Sequence, residues 1–264
     1  MGDAEIDTEI TCAAGTIVGT TRGGARVFNA IPYRGEGRPF DDPVPLEQGL
    51  LIDATASHPN ALSLISPSGA RPGTDCPVIV WLSDPVGRDG GDDGFVQVHV
   101  PHRTGFEGFL PFAADPIAHY RGVADVALAL RWIQRNIETF GGDPTNVTVV
   151  GAGEDAAVAL WLCRRDHYAG EFRRAWAADP VFPRAPYEHR KWAVRALLSA
   201  PLTRDKLNEL AEDRPARVGR SYRRYAKVFG PMGPQPWDDA ELAELAEVRL
   251  ASGFDAREIA RFAR

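Results

Sequence analysis

A short apolar strand followed by a glycine-rich turn and a helix is the feature of this 264-residue chain that most constrains its fold. Residues 147–150 are all β-branched and mostly apolar, which predicts a strand buried on both faces in a parallel sheet. Gly151 and Gly153 predict a tight turn directly after the strand, and residues 156–165 predict a helix. A strand, a turn and a helix in this order indicate an α/β fold with a mostly parallel sheet.

The chain before this unit alternates strands and helices. Residues 9–31 have the glycine turns of an antiparallel hairpin, and residues 77–82 predict another buried strand. Residues 122–140 predict a long helix, because their apolar side chains recur at three- and four-residue spacing.

The chain after Pro180 changes character, because residues 186–227 predict helices with no buried strand between them. Asp238 or Asp239 is suited to cap a helix that carries Leu242, Leu245, Val248 and Leu250, and Asp255 begins a last short helix. We therefore expect an α/β core over residues 1–180 and a helical C-terminal portion over residues 181–264, packed on the core as one compact domain.

Composition excludes several classes of protein. The net charge of −6, from 30 basic and 36 acidic residues, argues against nucleic-acid binding. No apolar run approaches the ~18 residues of a membrane span, and the acidic first residues lack the basic and apolar parts of a signal peptide, so we expect a cytoplasmic protein that binds no membrane. The three cysteines are too scattered for a disulfide framework or a zinc site, and we expect no metal and no cofactor.

Several phrases of this chain resemble the type-B carboxylesterase/cholinesterase family. In that family, FGGDPxNVT leads through a strand into a G-x-S-x-G nucleophile elbow, and residues 140–148 here are FGGDPTNVT. Residues 28–33, 77–82 and 96–110 resemble further family phrases in the family's order. The resemblance is good over residues 9–180 and loose over 181–236. It implies an α/β-hydrolase-like fold, and because family members are considerably longer, it implies a truncated member.

The resemblance places the catalytic serine at Gly153, in a degenerate elbow made of Gly151, Gly153, Glu154 and Asp155. Glycine has no side chain, so covalent acyl chemistry at this position is excluded. Residues at such elbows hold a strained backbone that costs about 1–3 kcal/mol, and glycine relieves this strain.

The remaining catalytic parts are also expected to be missing. The family's H-G-G-G oxyanion loop is replaced by a degenerate loop of Ser83, Asp84, Pro85 and Val86, in which Pro85 supplies no N–H. The histidines are His58, His99, His102, His119, His167 and His189, and none lies where the family has its downstream base. The sequence therefore predicts a catalytically inactive pseudoenzyme that binds a protein or an unknown small molecule.

Two alternative interpretations retain a catalytic function on this fold. Residues 153–157 form G-x-D-x-A, which is similar to the aspartate nucleophile elbow of haloalkane dehalogenases and epoxide hydrolases. A hydrolase or lyase would then use Asp155 or Glu154, or the pair His99 and His102, as relocated catalytic residues. A structural explanation competes with this one, since carboxylates favour a helix N-terminus and Asp155 is suited to cap. The second alternative, a half-site completed by another chain, conflicts with Gly153.

Two further groups of residues suggest a metal site and a partner-binding surface. His99 and His102 with Asp84, Asp89, Asp92 or Asp93 would suit zinc or iron, but their spacing is not a metal-site spacing. A basic stripe between residues 214 and 227 would suit an acidic partner or the chain's own acidic segment 238–247. Because a truncated hydrolase exposes a sheet edge, we expect a homodimer or a hetero-complex that covers it.

Overall fold

The structure, a computed structural model, describes residues 6–46, 49–83, 94–234 and 242–264. Ten strands of these ranges form one mixed sheet. They are β1 (Ile6–Cys12), β2 (Gly15–Arg22), β3 (Ala25–Ile31), β4 (Leu50–Asp53), β5 (Leu62–Pro67), β6 (Cys76–Trp81), β7 (Val96–His99), β8 (Gly142–Ala152), β9 (Arg174–Ala178) and β10 (Glu247–Ala251).

The sheet is antiparallel at its N-terminal end and parallel at the other. Its order is β1-β2-β3-β5-β7-β6-β8-β9-β10, with β4 beside β2. β1, β2, β3, β5 and β7 pair antiparallel in turn, and every pair from β7 to β10 is parallel. At the centre, Val80 lies opposite Val98 and Val149, all three fully buried. The predicted N-terminal hairpin and parallel sheet are confirmed.

Seven α-helices belong to the described ranges. They are α1 (Gly105–Phe109), α2 (Arg121–Asn136), α3 (Glu154–Leu162), α4 (Lys191–Leu198), α5 (Arg204–Asp213), α6 (Pro215–Phe229) and α7 (Ala256–Ala263). The predicted helix 122–140 is α2 with a 3-10 extension, Ile137–Phe140, which Gly141 ends at a φ of 86°. None of the helices in these ranges is long and apolar enough to cross a bilayer.

The C-terminal helices α5 and α6 pack on the core through polar and aromatic contacts. Asn208 accepts a 2.7 Å hydrogen bond from the backbone of Phe40, and both residues are fully buried. On α6, Tyr222 and Tyr225 meet the ring of Phe106 edge-on, at centroid distances of 5.3 and 5.4 Å. The helical character predicted for residues 186–227 is therefore confirmed, whereas the boundary at residue 180 stays a prediction.

The helix predicted to carry Val248 and Leu250 is wrong over residues 247–251, which form β10. β9 is buried along its whole length and leaves a row of backbone N–H and C=O groups that need partners. β10 supplies these partners by pairing Val248 with Ala175 and Leu250 with Ala177. The proposed caps of that helix, Asp238 and Asp239, lie outside the described residues. At α7 the predicted cap is confirmed, since Asp255 accepts from the backbone of Arg257 and Glu258.

Candidate functional site: a glycine elbow

The turn between β8 and α3 has the backbone of an elbow with glycine at its tip. Gly153 has φ 57° and ψ −117°, a conformation in which residues with side chains are strained. Its N–H donates to the carbonyl of Ala178 at 2.9 Å, and its carbonyl accepts from Val181 at 2.9 Å. An added Cβ at Gly153 would meet no atom within 4 Å, so only backbone strain opposes a side chain there.

The first glycine of the elbow is required by close packing. A Cβ at Gly151 would lie 2.5 Å from the carbonyl oxygen of Asp155. Glycine at this position therefore allows the first turn of α3 to pack against the end of β8.

Three side chains, Ser83, Asp155 and His102, meet directly behind the elbow, and we call them the elbow triplet. Ser83 Oγ donates to Asp155 Oδ2 at 2.6 Å and accepts from the backbone N–H of Ala152 at 3.1 Å. His102 Nε2 lies 3.2 Å from Asp155 Oδ1, as an ion-pair contact without the angle of a hydrogen bond. The carboxylate of Asp155 thus bridges the serine hydroxyl and the imidazole.

The surroundings of His102 favour its charged form. Its side chain is 2% exposed, and this burial, the largest single influence, lowers the pKa of the imidazole. Asp155, the carbonyl of Val100 and the charge of Asp125 together outweigh burial and raise the pKa above its usual value. Nδ1 lies 3.4 Å from the carbonyl oxygen of Val100, so both ring nitrogens face oxygen acceptors. A positive charge on the ring is therefore stabilised by the carboxylate that faces Nε2 and by the carbonyl oxygen that faces Nδ1.

Glu154, the next elbow residue, is covered by the C-terminal helix α6. Tyr222 donates from its hydroxyl to Glu154 Oε2 at 3.1 Å, and the same hydroxyl accepts from the backbone of Met232 at 3.3 Å. Burial raises the pKa of Glu154, while the hydrogen bond from Tyr222 acts in the opposite direction. Tyr222 was not predicted from the sequence, because no motif connects residue 222 with residue 154.

Gly105 makes room for this contact. Its φ is 62°, and a Cβ at this position would lie 2.9 Å from the Tyr222 ring. A glycine at residue 105 therefore allows α6 to approach the elbow.

The structure brings together only part of the predicted alternative site. His102 and Asp155 meet, whereas His99 lies in β7 opposite Ser63 and Trp81 and lines a separate cavity of about 300 Å³ with His58. The expectation that Asp155 caps α3 is wrong, because its carboxylate is occupied by Ser83 and the N-cap is Gly153.

Only one residue of the predicted oxyanion loop, Ser83, belongs to the described part of the chain. Ser83 joins the elbow triplet, while Asp84, Pro85 and Val86 lie outside the described residues, as do Asp89, Asp92 and Asp93. Within the described ranges no group of three or more His, Cys, Asp or Glu side chains is arranged to hold a metal ion.

The chemistry open to this arrangement is limited by the tip of the elbow. Gly153 presents no hydroxyl, and the Ser83 hydroxyl donates its proton to a carboxylate and not to a histidine base. The carboxylate of Asp155 and the imidazole of His102 are in contact at 3.2 Å, so the negative charge of the first stabilises a positive charge on the second.

Parts of this chain are similar in sequence to known carboxylesterases. Residues 91–182 match the model of the Carboxylesterase family. Carboxylesterase 3B of Mus musculus is 37% identical over 125 residues, which are 43% of this chain and 22% of that protein. Para-nitrobenzyl esterase of Bacillus subtilis is 30% identical over 208 residues, which are 63% of this chain and 42% of that protein. The matched regions thus span less than half of these relatives.

Solved esterase structures share the fold. Carboxylesterase EST55 of Geobacillus stearothermophilus superposes with a TM-score of 0.72 at 25% identity, covering 86% of this chain and 55% of that one. A thermophilic para-nitrobenzyl esterase superposes with a TM-score of 0.70 at 21% identity, covering 92% of this chain and 62% of that one. These likenesses establish an α/β-hydrolase fold.

Proposed function

Because this chain belongs to the carboxylesterase family through its α/β core, we propose that it is a non-catalytic member, a pseudoenzyme that serves as a protein- or ligand-binding scaffold. The observation that carries the proposal is the glycine at the elbow tip, which keeps the elbow's φ of 57° without a nucleophile. A serine esterase needs that nucleophile together with a base to activate it.

The neighbours of Gly153 support the proposal. The elbow triplet satisfies its own groups, because Asp155 holds Ser83 at 2.6 Å and His102 at 3.2 Å. Tyr222 of α6 engages Glu154, whose backbone N–H would be an oxyanion donor in an esterase elbow. One carboxylate about 4–5 Å from a developing oxyanion would destabilise it by about as much as one oxyanion donor contributes, roughly 3–4 kcal/mol.

The proposal is tested with a fluorophosphonate probe and p-nitrophenyl butyrate. Wild-type protein is expected to give no labelling above a heat-denatured control. Gly153→Ser, and Gly153→Ser combined with Asp155→Gly to restore G-x-S-x-G, are the matched variants, and both are expected to remain unlabelled because the triad histidine has no counterpart. Saturable labelling of the wild type would overturn the proposal.

A second candidate function is a hydrolase or lyase with relocated residues, and the contact between His102 and Asp155 favours it. In this scheme the Asp155 carboxylate acts as nucleophile or base and the His102 imidazolium supplies the proton. A panel of esters, epoxides and haloalkanes would reveal such an activity, and Asp155→Asn and His102→Gln would each abolish it. Activity that survives both substitutions would exclude this candidate.

The scaffold function requires a partner surface, and the outer edge of β10 is our candidate. β10 pairs with β9 on one side, and Leu250 and Leu245 nearby are 65% and 76% exposed. β10 is the last strand of the sheet in the described ranges, and a strand at a sheet edge favours pairing with another chain. A homodimer, or a complex with a different protein, would cover this edge.

A further inference from the structure

Four arginines are buried in the described part of the chain, and one of them differs from the others. They are Arg103, Arg121, Arg174 and Arg190. The first three have carboxylate partners: Arg103 with Asp125 at 2.8 Å, Arg121 with Asp115 at 2.6 Å, and Arg174 with Glu247 at 3.4 Å. Arg190 makes no ion pair with any described residue.

The polar contacts of Arg190 are all with neutral groups. The residue is 4% exposed, and its guanidinium donates to the backbone carbonyls of Phe229, at 3.0 Å, and Ala185. Nε has no hydrogen-bond partner. A guanidinium keeps its charge, and a buried charge without a counter-ion is costly, so this position favours an anion.

Neighbouring phenols do not supply the missing negative charge. The guanidinium of Arg190 lies 5.6 Å from the ring centre of Tyr225, and Tyr187 is three residues earlier in the chain. Burial raises the pKa of both Tyr187 and Tyr225, so both remain neutral. The hydroxyl of Tyr187 is itself buried without a hydrogen-bond partner.

Arg190 and Tyr187 line the same cavity, which has a volume of about 170 Å³. Its other walls are mostly apolar and include Phe109, Tyr120, Pro183 and Met232. The cavity lies where the loop after α1 meets the segments before α4 and after α6. The cavity therefore combines mostly apolar walls and His119 with a buried arginine that has no counter-ion among the described residues and a tyrosine whose hydroxyl has no hydrogen-bond partner there.

We propose that this cavity binds a small monocarboxylate with an apolar ring or short chain, of the size of benzoate. Its carboxylate would accept hydrogen bonds from Arg190 and Tyr187, and its apolar part would contact the aromatic and proline walls. The proposal rests on the proposed scaffold function, because it describes a ligand that is held and not converted. It concerns residues outside the elbow, so a binding experiment tests it independently of esterase assays.

The test is isothermal titration of the full chain with benzoate and with benzamide, its neutral isostere. Benzoate is expected to bind about tenfold more tightly than benzamide, because only the carboxylate neutralises Arg190. Equal affinity for the two compounds, or no benzoate binding up to about 10 mM, would overturn the proposal. Complete displacement of benzoate by an equal concentration of chloride would also overturn it, in favour of an inorganic-anion site.

Two variants of cavity residues and one control variant test whether benzoate binds in this cavity. Arg190→Gln is expected to abolish the preference for benzoate, whereas Arg195→Gln, an exposed arginine on α4, should retain it. Because Arg190→Gln also removes two structural hydrogen bonds, Tyr187→Phe is the second variant, and it should weaken benzoate binding about threefold or more without changing the charge. An unchanged benzoate affinity in Tyr187→Phe, or a retained preference in folded Arg190→Gln, would contradict the site.

Discussion

Nε2 of His102 lies 3.2 Å from Oδ1 of Asp155, so a buried imidazole and a carboxylate form an ion pair behind the glycine elbow. Asp155 lies in the first turn of α3, and His102 lies in the loop after β7. Asp155 is thereby held by His102 on one oxygen and by Ser83 on the other. Both carboxylate oxygens of Asp155 therefore have a partner among the described residues.

The His102–Asp155 pair predicts a specific dependence of stability on pH. Since the pKa of His102 is raised in the folded state, the protonated ring stabilises the protein fully below the unfolded pKa of about 6.5. That contribution is lost as pH rises through the higher folded pKa. Urea unfolding from about pH 6 to 9 should show wild type losing stability relative to His102→Gln. His58→Gln serves as the exposed control, and parallel curves for wild type and His102→Gln would contradict the ion pair.

The elbow backbone predicts a cost for any side chain at residue 153. Gly153→Ala should reduce the free energy of unfolding by about 1–3 kcal/mol, because φ is 57° and no steric clash contributes. Gly69→Ala is the matched control, since an added Cβ there also meets no atom within 4 Å and its φ lies outside the positive region. If the two substitutions lowered the free energy of unfolding equally in urea denaturation, the backbone conformation at residue 153 would not disfavour a side chain.

The sequence predicted the elements around the elbow well because their signals are local. The strand at residues 147–150 and the helix at residues 122–140 were each predicted from neighbouring residues alone, and the structure contains both. β10 was missed because its pattern depends on β9, a strand about 70 residues earlier that needed a hydrogen-bonding partner.

The contacts inside the candidate site were harder to predict, because they also join residues that are far apart in the chain. His102 and Asp155 were both named as alternative site residues. The contacts of Asp155 with His102 and with Ser83, however, required the packing of the end of β6, the loop after β7 and the start of α3. Tyr222 had no sequence signal, since a tyrosine on an amphipathic helix is usually a packing residue. Long-range pairs of this kind follow from the tertiary structure and not from spacing along the chain.

Tyr222 is predicted to hold α6 on the elbow through Glu154. Tyr222→Phe should reduce the free energy of unfolding by about 1–2 kcal/mol, because Glu154 and the backbone of Met232 each lose a hydrogen bond. It should also raise the pKa of Glu154 further, since the tyrosine hydrogen bond lowers it. A double-mutant cycle with Glu154→Ala, which removes the acceptor, measures the coupling, and a coupling energy near zero would show that the contact does not stabilise the fold.

Asp115 is predicted to be the main anchor between the core and the C-terminal helices. Its buried carboxylate accepts from Arg121 and from Arg204 of α5, at 2.6 Å each. Asp115→Asn leaves Arg121 buried without its main counter-ion and should cost about 3–5 kcal/mol. Asp166→Asn removes an exposed ion pair with Arg164 and should cost at most about 1 kcal/mol. Similar losses in thermal or urea unfolding would contradict the anchoring role.

The exposed edge of β10 is predicted to make the protein a homodimer. Light scattering should give twice the chain mass of 28.8 kDa, because the exposed Leu250 and the position of β10 at the edge of the described sheet favour pairing with a second copy. Leu250→Lys should return the mass to that of one chain, since a charge on an edge strand opposes strand addition. Val44→Lys, at another exposed apolar position, is the control and should leave the mass unchanged. A wild-type mass of 28.8 kDa at all concentrations would refute the homodimer.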